Sequence, residues 1–236
     1  MHNKLFLTAF ILLVFASSCG RLSPALQETS RQEFEKAYSQ YTRYNHIMDT
    51  TAVTAATRRQ LTRLIRQPYG EVADMIDIFK VGYIAATRQY AAIVVGITGE
   101  LFMMLADENL HLTTTDEDRY NRLSFEYHAY AKTGWWAGEL WGEDAGEPPL
   151  DINIRKLEGN TLKTVYHLRN SALCFPHAWD AKSIEDLRQF IFWGPDNTLY
   201  LKCYRRKKAT TKRIPYGDGM ESDYSRYVYF KIKIEP

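Results

Sequence analysis

The segment Cys174-Phe-Pro-His-Ala-Trp-Asp180 holds a thiol, an imidazole and a carboxylate close together, the three groups of a nucleophilic site. A cysteine nucleophile needs a base in hydrogen-bond reach and an orienting partner, and such groups are usually gathered from distant segments. Pro176 and the flanking aromatics suit a loop packed against a sheet, so no catalytic residue is assigned there. His46, His111, His128, His167 and His177 show neither H-x-x-x-H nor H-E-x-x-H spacing, so no metal site is expected either. Asp218, Glu221 and Asp223 lie in a glycine-containing loop and offer the hard oxygens calcium prefers, but their spacing departs from an EF-hand and a solvated hairpin is the plainer reading. There is no Gly-rich phosphate loop, no G-x-S-x-G and no paired-carboxylate signature, and no cofactor is expected.

Two clusters suit binding better. Trp135, Trp136 and Trp141 fall in a glycine-bearing stretch. Neighbouring residues alternate faces on a strand, so one of Trp135 and Trp136 should point outward unless both faces are covered. An outward tryptophan would grip a sugar ring or a protein surface, whereas an inward one is core. Arg205, Arg206, Lys207 and Lys208, continued by Lys212 and Arg213, form the densest run of charge. They fall between two strand-like segments, at a hairpin tip that would touch anionic lipid or simply keep a sheet edge solvated.

The elements that must position these groups change character along the chain. Phe34, Tyr38 and Tyr41 recur at helical spacing, which predicts an amphipathic helix within 28–46. The Thr/Val/Ala texture of 47–57 suggests a strand. Leu61, Leu64 and Ile65, with three arginines opposite, predict a short helix ending before Pro68. Val72, Met75, Ile76, Phe79 and Tyr83 recur at three and four residues and predict a second helix after Gly70, whereas 90–105 reads as a buried strand. Beyond residue 122 the period is two, in Leu123 to Ala129, Ile152 to Ile154, Leu162 to Leu168, Leu199 to Cys203 and Val228 to Ile234. Turn signals separate these runs. The expected fold is α+β: a helical region over 28–90 packed on a C-terminal antiparallel β-sandwich over 91–236, as one domain. Sixteen tyrosines, 11 phenylalanines and 5 tryptophans support the β bias. A net charge of +2 excludes nucleic acid as the main partner. Cys174 and Cys203 sit in apolar contexts that fit buried thiols, with a disulfide as the alternative.

The chain's start places it. Lys4 is followed by an apolar run from Leu5 to Ala16, broken by Thr8 and too short to span a bilayer, as in a secretory signal over 1–18. Ala16-Ser17-Ser18-Cys19 resembles the bacterial lipobox, in which the cysteine is acylated and becomes the new N-terminus; Ala16 stands where that motif more often has leucine. The resemblance implies lipidation of Cys19, a tether over 19–27 and, with Gly20 next, the outer membrane. An ordinary secretory signal and a soluble periplasmic protein is the alternative. The segment TRYNHIMDTTAVTAAT, with the later YAAIVVGIT, resembles a group of uncharacterised bacterial lipoproteins in which an Asp-Thr pair opens the first strand, helices are inserted and a β-sandwich completes the domain. These readings lead to a noncatalytic envelope module that binds an envelope protein or glycan, with an envelope hydrolase assembled from distant residues as the alternative.

Overall fold

Strands dominate the chain because its apolar residues mostly recur in alternation, and the computed structural model is 52% strand against 22% helix. It describes residues 25–41, 48–97, 101–116, 123–124, 128–131, 133–139, 149–175, 189–206 and 222–234. Two α-helices occur among them, α1 (Arg31–Tyr41) and α2 (Ala55–Arg66). A 3-10 segment, Gln67–Met75, follows α2 directly.

Three sheets form. The N-terminal sheet has the order β2 (Asp77–Ile84), β3 (Gln89–Val95), β4 (Leu101–Asp107), β6 (Leu123–Ser124). The central sheet runs β5 (Thr114–Thr115), β10 (Thr161–Asn170), β9 (Leu150–Glu158), β8 (Trp135–Glu139), β7 (His128–Tyr130). In the C-terminal sheet β1 (Gln27–Thr29) pairs with β14 (Ser222–Lys233), which pairs with β13 (Thr198–Arg206). β11 (Leu173–Cys174) and β12 (Ile191–Trp193) both pair with β13. The pairing of β5 with β10 is parallel and the others are antiparallel.

The core residues show how these layers stack. Trp135, Ala137, Ile152 and Ile154 on one face of the central sheet share a cluster with Leu199, Leu201, Phe230 and Ile232 of the C-terminal sheet. On its other face Tyr130, Trp136 and Leu162 pack with Ala91, Ile93, Met103 and Leu105 of the N-terminal sheet. The outer face of the N-terminal sheet, through Val81, Ala92, Val94 and Met104, is covered by Leu61 and Ile65 of α2. The outer face of the C-terminal sheet is covered by Phe34 and Ala37 of α1, which meet Phe192 and Tyr200. The chain is therefore a series of layers with a helix at each end.

Helices grouped at the N-terminal side of a two-sheet sandwich do not describe this arrangement. The protein is mostly β, its two α-helices are short, and they lie on opposite outer faces. Much of 28–90 is not helical: 77–84 is strand, and of the expected 47–57 strand the described residues 48–54 supply only the bridge Asp49–Tyr83, while 55–57 open α2. Likewise 90–105 holds two antiparallel strands, β3 and β4, rather than one strand.

A buried polar chain fixes the N-terminal sheet to the central one. Tyr130 Oη donates to Gln89 Oε1, Gln89 Nε2 donates to Thr113 Oγ1 at 2.9 Å, and Thr113 Oγ1 donates to Asn160 Oδ1 at 2.8 Å. Burial pushes the Tyr130 phenol up to about 12, so it stays the neutral donor this chain requires.

Candidate functional site: a cationic groove along α2

Local sequence builds α2 and then breaks it. Thr54 caps its start, with Oγ1 accepting from Thr57 N at 3.1 Å, and Arg63 and Arg66 in the last turn complement the helix dipole. Pro68 then forces a change of path, and Gly70 takes φ +55° and ψ −124°, a conformation that costs a side-chain-bearing residue dearly. Together they fold the 3-10 segment back beside the helix. The result is an open groove of about 800 Å³ lined by Arg58, Arg59, Thr62, Arg63, Arg66 and Gly70.

The helix side of this groove carries only positive charge, while Glu71 and Asp74 lie on the facing 3-10 segment. No acidic residue lies in α2. Arg66 donates from Nε and Nη2 to the Ile76 carbonyl, at 3.1 and 2.9 Å, and approaches Asp74 at 3.8 Å, so it is a structural strut. Arg58, Arg59 and Arg63 are exposed, and among the described residues no carboxylate forms an ion pair with them. Guanidinium groups in this state are held ready for carboxylate or phosphate oxygens, which they bind in a planar, two-pronged geometry.

The residues singled out from sequence fall elsewhere. Trp135 and Trp136 are each 2% exposed, because they alternate faces on β8 and both faces of the central sheet are covered. Neither offers a surface to a sugar or a partner. Arg205 reaches Glu28 at 3.8 Å, and Arg206 donates through Nη1 to the Ser171 carbonyl at 3.5 Å, so both are tied to neighbouring strands and turns. Arg206 pairs with Ser222 across β13 and β14, and the run between them lies outside the described residues. Cys19, Trp141, Lys207, Lys208 and His177 lie outside the described residues.

Cys174 is fully buried, its thiol donating to the Tyr204 carbonyl at 4.0 Å, and neither it nor Cys203 forms a disulfide. His167 does meet a carboxylate: Nε2 hydrogen-bonds Asp151 Oδ1, with Arg169 Nε at 3.6 Å from Oδ2. That imidazole is 50% exposed on a sheet surface with no nucleophile beside it among these contacts. No metal-holding group of His, Cys, Asp or Glu occurs among the described residues. A smaller cavity of about 300 Å³ lies between the end of α1 and the turn before β13, lined by Tyr41, Ala131, Thr133, Trp193, Asp196 and Asn197.

The groove's arginines are visible in the sequence, where they read as the solvated face of an amphipathic helix. The signal that separates them from such a face is the absence of any acid within α2 to neutralise them. The fold and this site define a mostly β protein of three packed sheets that carries a cationic surface groove. No protein-family model, no curated protein and no solved structure matches the chain.

Proposed function

We propose that this protein is a lipid-anchored, noncatalytic binding module of the bacterial cell envelope, held by acyl chains on Cys19 and capturing an anionic partner in the groove along α2. The placement is supported by the apolar run after Lys4 and the lipobox-like Ala16-Ser17-Ser18-Cys19, with Gly20 favouring the outer membrane. The binding role is carried by one observation: three exposed guanidinium groups converge on a groove with no acid of the helix to neutralise them. A net charge of only +2 means this is a local feature, which suits a defined anionic partner and argues against nucleic acid.

Polyglutamate is a sufficient probe of the groove. The chain is expected to bind it with an affinity that falls as salt rises, and Arg59→Glu combined with Arg63→Glu is expected to weaken binding at least about tenfold. Both side chains are exposed, so the melting temperature should fall only slightly, through the reversed charge in the last turn of α2. Equal binding by the double variant and the unaltered chain, measured by fluorescence anisotropy, would remove the groove as the binding surface.

A further inference from the structure

The four large apolar side chains that stand exposed among the described residues are Val72, Met75, Phe79 and Ile97, and they gather at one end of the N-terminal sheet. Val72 and Met75 belong to the 3-10 segment that walls the arginine groove. Phe79, 72% exposed, occupies the irregularity between Ile78 and Lys80 on β2, an edge strand of its sheet. The register of β2 and β3 pairs Asp77 with Val95, so the start of β2 and the chain just after β3, where Ile97 lies, share one end of the sheet. Single exposed apolar residues are ordinary; a group beside a charged groove marks a contact surface. Arginine, methionine and aromatic residues are also the types enriched where proteins meet.

We infer that the groove and these four side chains form one docking surface for an acidic segment of a partner protein that also presents apolar side chains. This rests on the reading of α2 as an anion-capturing surface. A bilayer also offers anionic groups beside apolar ones, but the geometry disfavours it. The eight links of chain from Cys19 to Gln27 reach at most about 29 Å. Gln27 is paired into the C-terminal sheet, and α2 lies on the far side of two further sheets. At about 10 Å per layer, that is about 30 Å to the helix axis, with about 5 Å more to its outer face. A membrane lying flat under α2 is therefore beyond the reach of an anchor on Cys19.

The test compares three probes. In neutral detergent, the acylated chain is titrated with an amphipathic Glu/Leu helical peptide and with polyglutamate of equal charge. Separately, the chain carrying Cys19→Ser is mixed with vesicles of phosphatidylethanolamine and phosphatidylglycerol. The expected result is that the peptide binds about tenfold more tightly than polyglutamate. Met75→Ser combined with Phe79→Ser should erase that advantage without altering polyglutamate binding, and any capture by vesicles should be the same with and without that double substitution. Peptide and polyglutamate binding alike would overturn the docking surface and leave the groove reading standing. Vesicle capture that depends on Met75 and Phe79 would assign the surface to lipid and overturn the protein partner. Loss of polyglutamate binding itself would overturn the groove reading beneath both.

Discussion

Trp136→Ala is expected to remove about 3–5 kcal/mol of folding stability, a large share of the roughly 5–15 kcal/mol that domains possess. The indole lies between the central and N-terminal sheets at 2% exposure, packed with Tyr130, Leu162 and Met103. Its ring covers Gly138 two residues along β8 so closely that a Cβ there would stand 2.1 Å from Trp136 Cη2. The Arg155 guanidinium lies 4.8 Å from the ring centroid on the same face. Alanine would leave a cavity that two flanking sheets cannot close without losing register. Phe79→Ala, at an exposed site, is expected to stay within about 0.5 kcal/mol of the unaltered chain. Urea unfolding followed by circular dichroism measures both; a cost below about 1 kcal/mol for Trp136→Ala would contradict the stacking of the three sheets.

The second large effect concerns a buried charge. Arg155 is held inside the central sheet with its side chain 6% exposed, Asp116 Oδ1 lying 3.8 Å from Nε and Thr164 Oγ1 accepting from Nε at 3.3 Å. Asp116 also accepts from Thr164 N at 2.7 Å and from Thr164 Oγ1 at 2.9 Å. Asp116→Ala therefore removes one carboxylate from beside a buried cation and takes a hydrogen-bond acceptor from the strand. The expected cost is about 1–3 kcal/mol, because Asp116 is itself 38% exposed and its loss leaves Thr164 N and Oγ1 without their acceptor. Arg155→Met, which removes the charge and keeps the packing volume, should cost less. If the methionine variant proves the less stable of the two, the pair is not the electrostatic unit described.

Where the sequence was readable and where it was not follows from how many faces of each element are covered. β13 and β14 announce themselves by alternation because every second residue, such as Leu199, Leu201, Ile232 and Ile234, enters one core while the intervening ones are more exposed or meet α1. β3 and β4 hide their turn. Ala92 and Val94 face α2 while Ala91 and Ile93 face the central sheet, so the run is apolar on both sides and reads as one continuous strand. β2 reads as helix for a related reason. Its inward residues, Ile76, Ile78, Val81 and Tyr83, are spaced two, three and two apart, because the irregularity at Phe79 inserts one residue into the alternation. The helical spacing instead comes from Val72, Met75 and Phe79, apolar residues that stand exposed and never enter the core. The tryptophans resist sequence reading in the same way: alternation on β8 sends one to each face, and only the presence of a third sheet buries both. The groove was half legible, since the arginine stripe is in the sequence but the return of the 3-10 segment at Gly70 is a tertiary fact.

Placement in the envelope is the claim on which the partner reading depends, and the intact mass of the polypeptide purified from bacterial membranes tests it directly. The predicted species begins at Cys19 and carries the added mass of a diacylglyceryl group. A chain that begins at Cys19 without acyl groups, or that still retains residues 1–18, would contradict it.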